Sequence, residues 1–65
     1  MRDAFGVEIK RTDRVSLFVT YRNEITKMHG EVVKLNHDGT IEVQFNNVLS
    51  SRTVDVKKFQ VCKIA

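Results

Sequence analysis

The side chains able to serve as nucleophile, base or metal ligand are few: Ser16, Ser50, Ser51, Cys62, His29 and His37. Nucleophilic catalysis needs a hydroxyl or thiol beside a base that a carboxylate orients. His37 falls within Asn36-His37-Asp38-Gly39, a segment with hairpin-turn composition, and is expected in solvent. Cys62 stands beside Val61 and close to Ile64, which suits a small filler of the core. Two histidines and one cysteine at these separations have no metal-ligand spacing. In 65 residues there is also no room for a buried substrate unless several copies assemble around it. The chain is therefore expected to be no enzyme and to carry no cofactor or metal.

The basic residues hold the most usable signal. Lys10, Arg11 and Arg14 cluster ahead of the first alternating segment, Arg22 and Lys27 follow it, and Arg52, Lys57 and Lys58 come late, with Lys34 and Lys63 elsewhere. If the middle and late groups share one face, they can track a phosphate backbone, with Phe18 and Tyr21 as stacking surfaces. The expected nucleic-acid-binding set is Tyr21, Arg22, Lys27, Arg52, Lys57 and Lys58. Against it stands an ordinary solvated surface, because Asp13, Glu24, Glu31 and Asp55 are interleaved with these cations. A net charge of +3 and a pI near 9.4 permit nucleic acid without demanding it.

Length allows one small domain, 1–65, with a modest core. Hydrophobic residues at 42% and charged residues at 29% fit a globular chain and argue against disorder. No apolar run approaches the roughly 18 residues of a membrane span. The leader Met1-Arg2-Asp3-Ala4-Phe5-Gly6 has no apolar signal core, and a lone cysteine suits the cytoplasm.

The elements that must position these residues are strands. Val15, Leu17 and Val19 alternate with Ser16, Phe18 and Thr20, and Ile41, Val43 and Phe45 alternate with Glu42 and Gln44. Asp38-Gly39 supplies the tight turn that pairs the segment 31–35 with the one from Ile41. Shorter strands are expected at 53–56 and 60–64, joined by a turn through Lys57-Lys58-Phe59. Residues 1–11 read as an extended N-terminal segment, with Val7 and Ile9 facing the same way. Residues 21–28 read as a long loop, being too short and too rich in Thr and Asn for a helix. Phe5, Phe45 and Phe59 are expected in the core, and Val48 and Leu49 are expected to plug one end of it. The fold class is all-β: a five-stranded meander that curls on itself to hide its edges.

That order resembles the SH3-like small barrel shared by Tudor and KOW modules. Thr12-Asp13-Arg14-Val15 resembles the Gly-Asp-x-Val opening of such barrels, with Thr12 in the place of the glycine. Gly30-Glu31-Val32-Val33-Lys34-Leu35 resembles the KOW-type Gly-x-Val-x-x-Ile strand, and residues 38–45 resemble its hairpin partner. The leader 3–10 is similar to the start of many small phage-encoded proteins. The resemblance implies a non-enzymatic binding module of phage or mobile-element origin, engaging nucleic acid or the transcription and translation machinery. The alternative is a protein-interaction module, an adaptor or inhibitor of a host protein, with homo-oligomerisation in either case. The Tudor role, a cage for methylated lysine, needs three or four converging rings, and only Phe18 and Tyr21 remain outside the expected core. The general layout is also similar to the plasmid-borne type II dihydrofolate reductases, which build a pore from several copies. Their pore strand reads Val-Gln-Ile-Tyr, whereas Thr53-Val54-Asp55-Val56-Lys57 offers neither the amide nor the phenol.

Overall fold

Alternation becomes structure wherever the apolar phase can reach a common core. The computed structural model, which describes residues 1–45 and 50–64, is all-β. Its strands are β1 (Arg14–Tyr21), β2 (Glu24–Leu35), β3 (Thr40–Phe45), β4 (Arg52–Asp55) and β5 (Cys62–Lys63), all antiparallel in one sheet of order β4-β3-β2-β1-β5. Val15, Leu17, Val32, Ile41 and Val43 are wholly buried on its inner face, joined by Ile9, Phe45, Val54, Val56 and Val61. Truncating Ile9, Leu17 or Ile41 to Ala costs on the order of 2–5 kcal/mol, and truncating the smaller valines costs less.

A change of phase in β2 keeps that pattern intact. The register shifts between Val32 and Lys34, a bulge that inserts Val33, so that Lys34 faces Glu42 and Leu35 faces Ile41. In a regular ladder without the bulge, the same sequence would turn Lys34 inward and Leu35 outward. Gly30 is required at the other end of this pairing. A Cβ there would lie 2.4 Å from Val43 Cγ1 and 2.9 Å from the Gln44 carbonyl oxygen, so β2 can approach β3 only as glycine.

The Asp38-Gly39 turn forms as its composition requires. Gly39 has φ +86°, the Asn36 N–H donates to the Thr40 carbonyl at 3.1 Å, and the Asp38 carboxylate accepts from the Thr40 hydroxyl at 2.6 Å. The Thr40 hydroxyl, then its N–H, hold the Asp38 carboxyl below its ordinary pKa. Thr12, where the resembling pattern has glycine, has φ +79°: a β-branched residue in the left-handed region. Its N–H donates to the Val32 carbonyl at 2.7 Å, and the Asp13 carboxylate closes the same turn on the Lys10 N–H at 2.8 Å. That bond comes first, and with the Lys63 ammonium, 3.4 Å away, it lowers the Asp13 pKa.

Three expectations need correction. Residues 21–28 are not a long loop: Tyr21 ends β1, Glu24 begins β2, and the two pair directly. Arg22 and Asn23, with φ of +51° and +65°, form a two-residue turn whose twist matches the strands. The N-terminal segment is folded back rather than extended, with the backbones of Arg2 and Glu8 paired in an isolated antiparallel bridge. Its tip, around Gly6 at φ +87°, projects outward, so Phe5 and Val7 are exposed while Ile9 is buried. Finally, the sheet is not closed into a barrel. β5 pairs with β1 only at Val15↔Lys63 and Ser16↔Cys62, and β4 and β5 are the two edges of the sheet. A single helical turn at 56–60 connects them, with Val56 buried in the core and Phe59 packed against it. Val48 and Leu49 lie outside the described residues.

That turn is capped at both ends. The Asp55 carboxylate accepts the N–H groups of Lys57 at 3.0 Å and Lys58 at 2.9 Å. The Val61 N–H donates to the Val56 carbonyl and the Gln60 N–H to the Lys57 carbonyl, with Gln60 at φ +50°, a Schellman closure. Asp3, buried, performs the corresponding task for the N-terminal turn. Its Oδ1 accepts the N–H groups of Phe5 and Val7, and its Oδ2 accepts that of Lys63 at 2.9 Å. Burial alone pushes this carboxyl up, but the N–H groups of Lys63, Val7, Phe5 and Gly6 outweigh it and hold the pKa below its ordinary value.

Candidate functional site

The hairpin formed by β1 and β2 divides into two halves. Near its base, Val15 faces Gly30 and Leu17 faces Met28, on the buried side. Toward its tip the outward phase carries Phe18 opposite Lys27 and Thr20 opposite Ile25. Phe18 is 39% exposed and Ile25 74% exposed, which puts two large apolar side chains on a solvent face. From Ser16 and His29 to the tip, this outer face bears Lys27 and no carboxylate, since Glu24 belongs to the opposite phase beside Tyr21.

The helical turn completes the surface. The Phe18 N–H donates to the Phe59 carbonyl at 3.0 Å, which fixes the turn against β1. Phe18, Thr20, Ile25, Lys58, Phe59 and Gln60 then line a cleft of about 320 Å³. Lys58 Nζ lies 5.7 Å from the centroid of the Phe59 ring, so its charge is held at the cleft. Phe18 is thus bracketed by Lys27 across the ladder and Lys58 across the cleft. An exposed ring between two cations can stack on a flat apolar group while the ammonium groups receive anions on either side.

The residues expected to form one face are distributed as follows. Lys27 lies opposite Phe18 on the ladder, and Lys58 lines the cleft beside it. Tyr21 and Arg22 sit at the hairpin tip, with the guanidinium 5.2 Å over the Tyr21 ring. Tyr21, three residues from Phe18 on one strand, points to the other side. Arg52 borders a separate apolar cleft formed by Leu17, Val19, Met28, Phe45, Val54 and Phe59. Lys57 borders a third, with Arg2, Asp3, Asp38 and Asp55. Consecutive residues on a helical turn diverge by roughly 100°, which is why Lys57 and Lys58 serve different clefts. Thr20, Ile25 and Gln60 were not among the expected site residues. Ile25 is legible only once Arg22-Asn23 is recognised as a turn, because that turn sets the phase of β2.

Of the side chains considered for catalysis, His37 is exposed and Cys62 half-buried, its Sγ 3.6 Å from the Lys63 carbonyl. The register puts Cys62, Ser16 and His29 in one lateral row. The next carboxylate on that face, Glu31, is aligned with Arg14 and Gln44. Among the described residues no cluster of three His, Cys, Asp or Glu side chains is placed to hold a metal ion, and no helix is long and apolar enough to cross a membrane. No family model, curated protein or solved structure matches this chain.

Proposed function

We propose that this chain is a non-enzymatic module that binds nucleic acid weakly, through the outer face of the β1–β2 hairpin. The observation that carries the reading is the exposed Phe18 ring between Lys27 and Lys58, on a face free of carboxylates toward the tip. Phosphate attraction and ring stacking are the two contributions that sequence-tolerant nucleic-acid binding combines. The reading includes an SH3-like fold of the KOW/Tudor kind, supported by the β4-β3-β2-β1-β5 meander and by the positive φ of Thr12 at the glycine position. It also includes a cytoplasmic setting in a phage or mobile element, close to transcription or translation.

With few phosphate contacts, binding is weak and falls steeply with salt. Titration of labelled oligonucleotides followed by fluorescence anisotropy at low salt is the direct test. Lys27→Glu with Lys58→Glu should abolish binding and leave the thermal melt close to wild type, because both side chains are exposed. Lys57→Glu, in a different cleft, should have a smaller effect on affinity. No detectable binding of any oligonucleotide by the wild type would overturn this reading.

A second reading rests on a different observation. Phe5 is 67% exposed and Val7 50% exposed on the projecting N-terminal turn, an apolar tip suited to a protein partner or a second copy. Phe5→Ser should then abolish capture of that partner, or dimerisation by light scattering, without affecting oligonucleotide binding.

A further inference from the structure

The cleft beside Phe18 has a chemistry more specific than a charged surface. Its walls are the Phe18 ring and the Ile25 side chain, both exposed. Its uncharged polar lining residues are Thr20 and Gln60, both exposed, and Lys58 lines it as well. An amide and a hydroxyl beside an exposed ring supply what the edge of a flat heterocycle needs: donors and acceptors in the plane while the face stacks. Lys58 on one side and Lys27 on the other are placed for the phosphates before and after such a ring. A base inside a duplex presents no free face, so this arrangement can be used only by an unpaired nucleotide.

We infer that the cleft formed by Phe18, Thr20, Ile25, Lys58 and Gln60 is a subsite for one unpaired nucleotide, making the hairpin face a reader of single strands. The inference rests on the nucleic-acid reading above and names its substrate class. Phe18 and Ile25 hold the face of the base, Gln60 and Thr20 meet its edge, and Lys58 and Lys27 hold the flanking phosphates. The backbone of Gln60 is set by the helical turn. It holds the left-handed position that closes the turn, where glycine would be easier, and its side chain remains exposed at the cleft rather than packed.

That backbone also provides a clean variant. Gln60→Gly suits the positive φ and should melt no lower than wild type, while removing the carboxamide. Phe18→Leu keeps an apolar side chain on the strand and removes the stacking face. The experiment compares oligo-dT and oligo-U of about ten nucleotides with a DNA duplex of equal length, by anisotropy at low salt. The expected result is single-strand binding at least about tenfold tighter than duplex binding. Phe18→Leu should lose about tenfold and Gln60→Gly several-fold on single strands only. Preference between oligo-dT and oligo-U reports the sugar and the thymine methyl together, and tighter binding of either than of the duplex supports the subsite. Equal affinity for duplex and single strands, or unchanged binding by both variants, overturns the subsite and leaves the nucleic-acid reading standing. Absence of binding to all three probes overturns that reading itself.

Discussion

The two halves of the β1–β2 hairpin are made of the same two strands and do opposite things. At the base, Val15 and Leu17 are fully buried and Gly30 is buried where β2 approaches Val43 and the Gln44 carbonyl of β3. At the tip, Phe18, Tyr21 and Ile25 are large, apolar and exposed, and the turn between them is made of two residues at positive φ. The base is determined by packing, so nearly any change there costs stability. At the tip Phe18, Tyr21 and Ile25 keep much of their surface exposed, so they are available for a ligand. Strand pairing alone links the two, which lets the rigid half orient the exposed half.

The sharpest way to break this contrast is to add one carbon at the base. Gly30→Ala brings a Cβ into Val43 and the Gln44 carbonyl, and should cost about 3 kcal/mol in chemical denaturation. Thr26→Ala, four residues away in the exposed half, should stay within about 0.5 kcal/mol. If the two variants melt alike, the division into a packed base and a free tip is wrong.

Next in size is the Asp3 clasp, which supports the base from outside the sheet. Asp3→Ala leaves the N–H groups of Phe5, Val7 and Lys63 without their acceptor, a loss of about 1–3 kcal/mol. The same carboxyl gives a pH signature. Its pKa is depressed in the folded chain, so its contribution is complete above the ordinary carboxylate value and disappears as pH falls through the depressed one. Asp13 and Asp38 shift in the same direction and add to that acid limb. Thermal melts from neutral pH down to about pH 2 should therefore decline below about pH 4, and less steeply in Asp3→Ala than in wild type.

Smaller effects come from the backbone. Thr12→Gly relieves a β-branched residue at φ +79° and should raise stability by about 1 kcal/mol. Asn23→Gly in the tip turn should give a gain of about half that, since asparagine tolerates φ +65° better than threonine tolerates its own position. A gain at Asn23 larger than at Thr12 would mean that the exposed half limits stability, reversing the comparison.

How far the sequence reveals this molecule follows the same division. Strands whose alternation ends in a core are plain in the residues: Val15 and Leu17, Ile41, Val43 and Phe45, and the Asp38-Gly39 turn between segments. The tip is obscure because Arg22-Asn23 carries a turn without glycine, and reading it as loop erases the phase that sends Ile25 outward and pairs Lys27 with Phe18. Phe5 misleads for a related reason, since an aromatic near a chain start looks like core until Asp3 is seen to fold the segment back. The candidate site was only half visible. Lys27 and Lys58 are apparent as cations, but that Lys57 faces elsewhere depends on one capped helical turn, a feature set by hydrogen bonds from Asp55 rather than by periodicity.

The Asp3 clasp has a consequence for the order in which the chain can fold. Its Oδ2 accepts the amide of Lys63, a contact spanning 60 residues. The Ala4 N–H donates to the Val61 carbonyl in the same latch. During synthesis the β1–β2 and β2–β3 hairpins can form from neighbouring residues as they emerge, but the latch has no second half until the last strand has left the ribosome. Until then Asp3 has its local partners, the N–H groups of Phe5 and Val7, and lacks that of Lys63. Both hairpins can therefore precede the latch, which waits for residues 61–63 to become available.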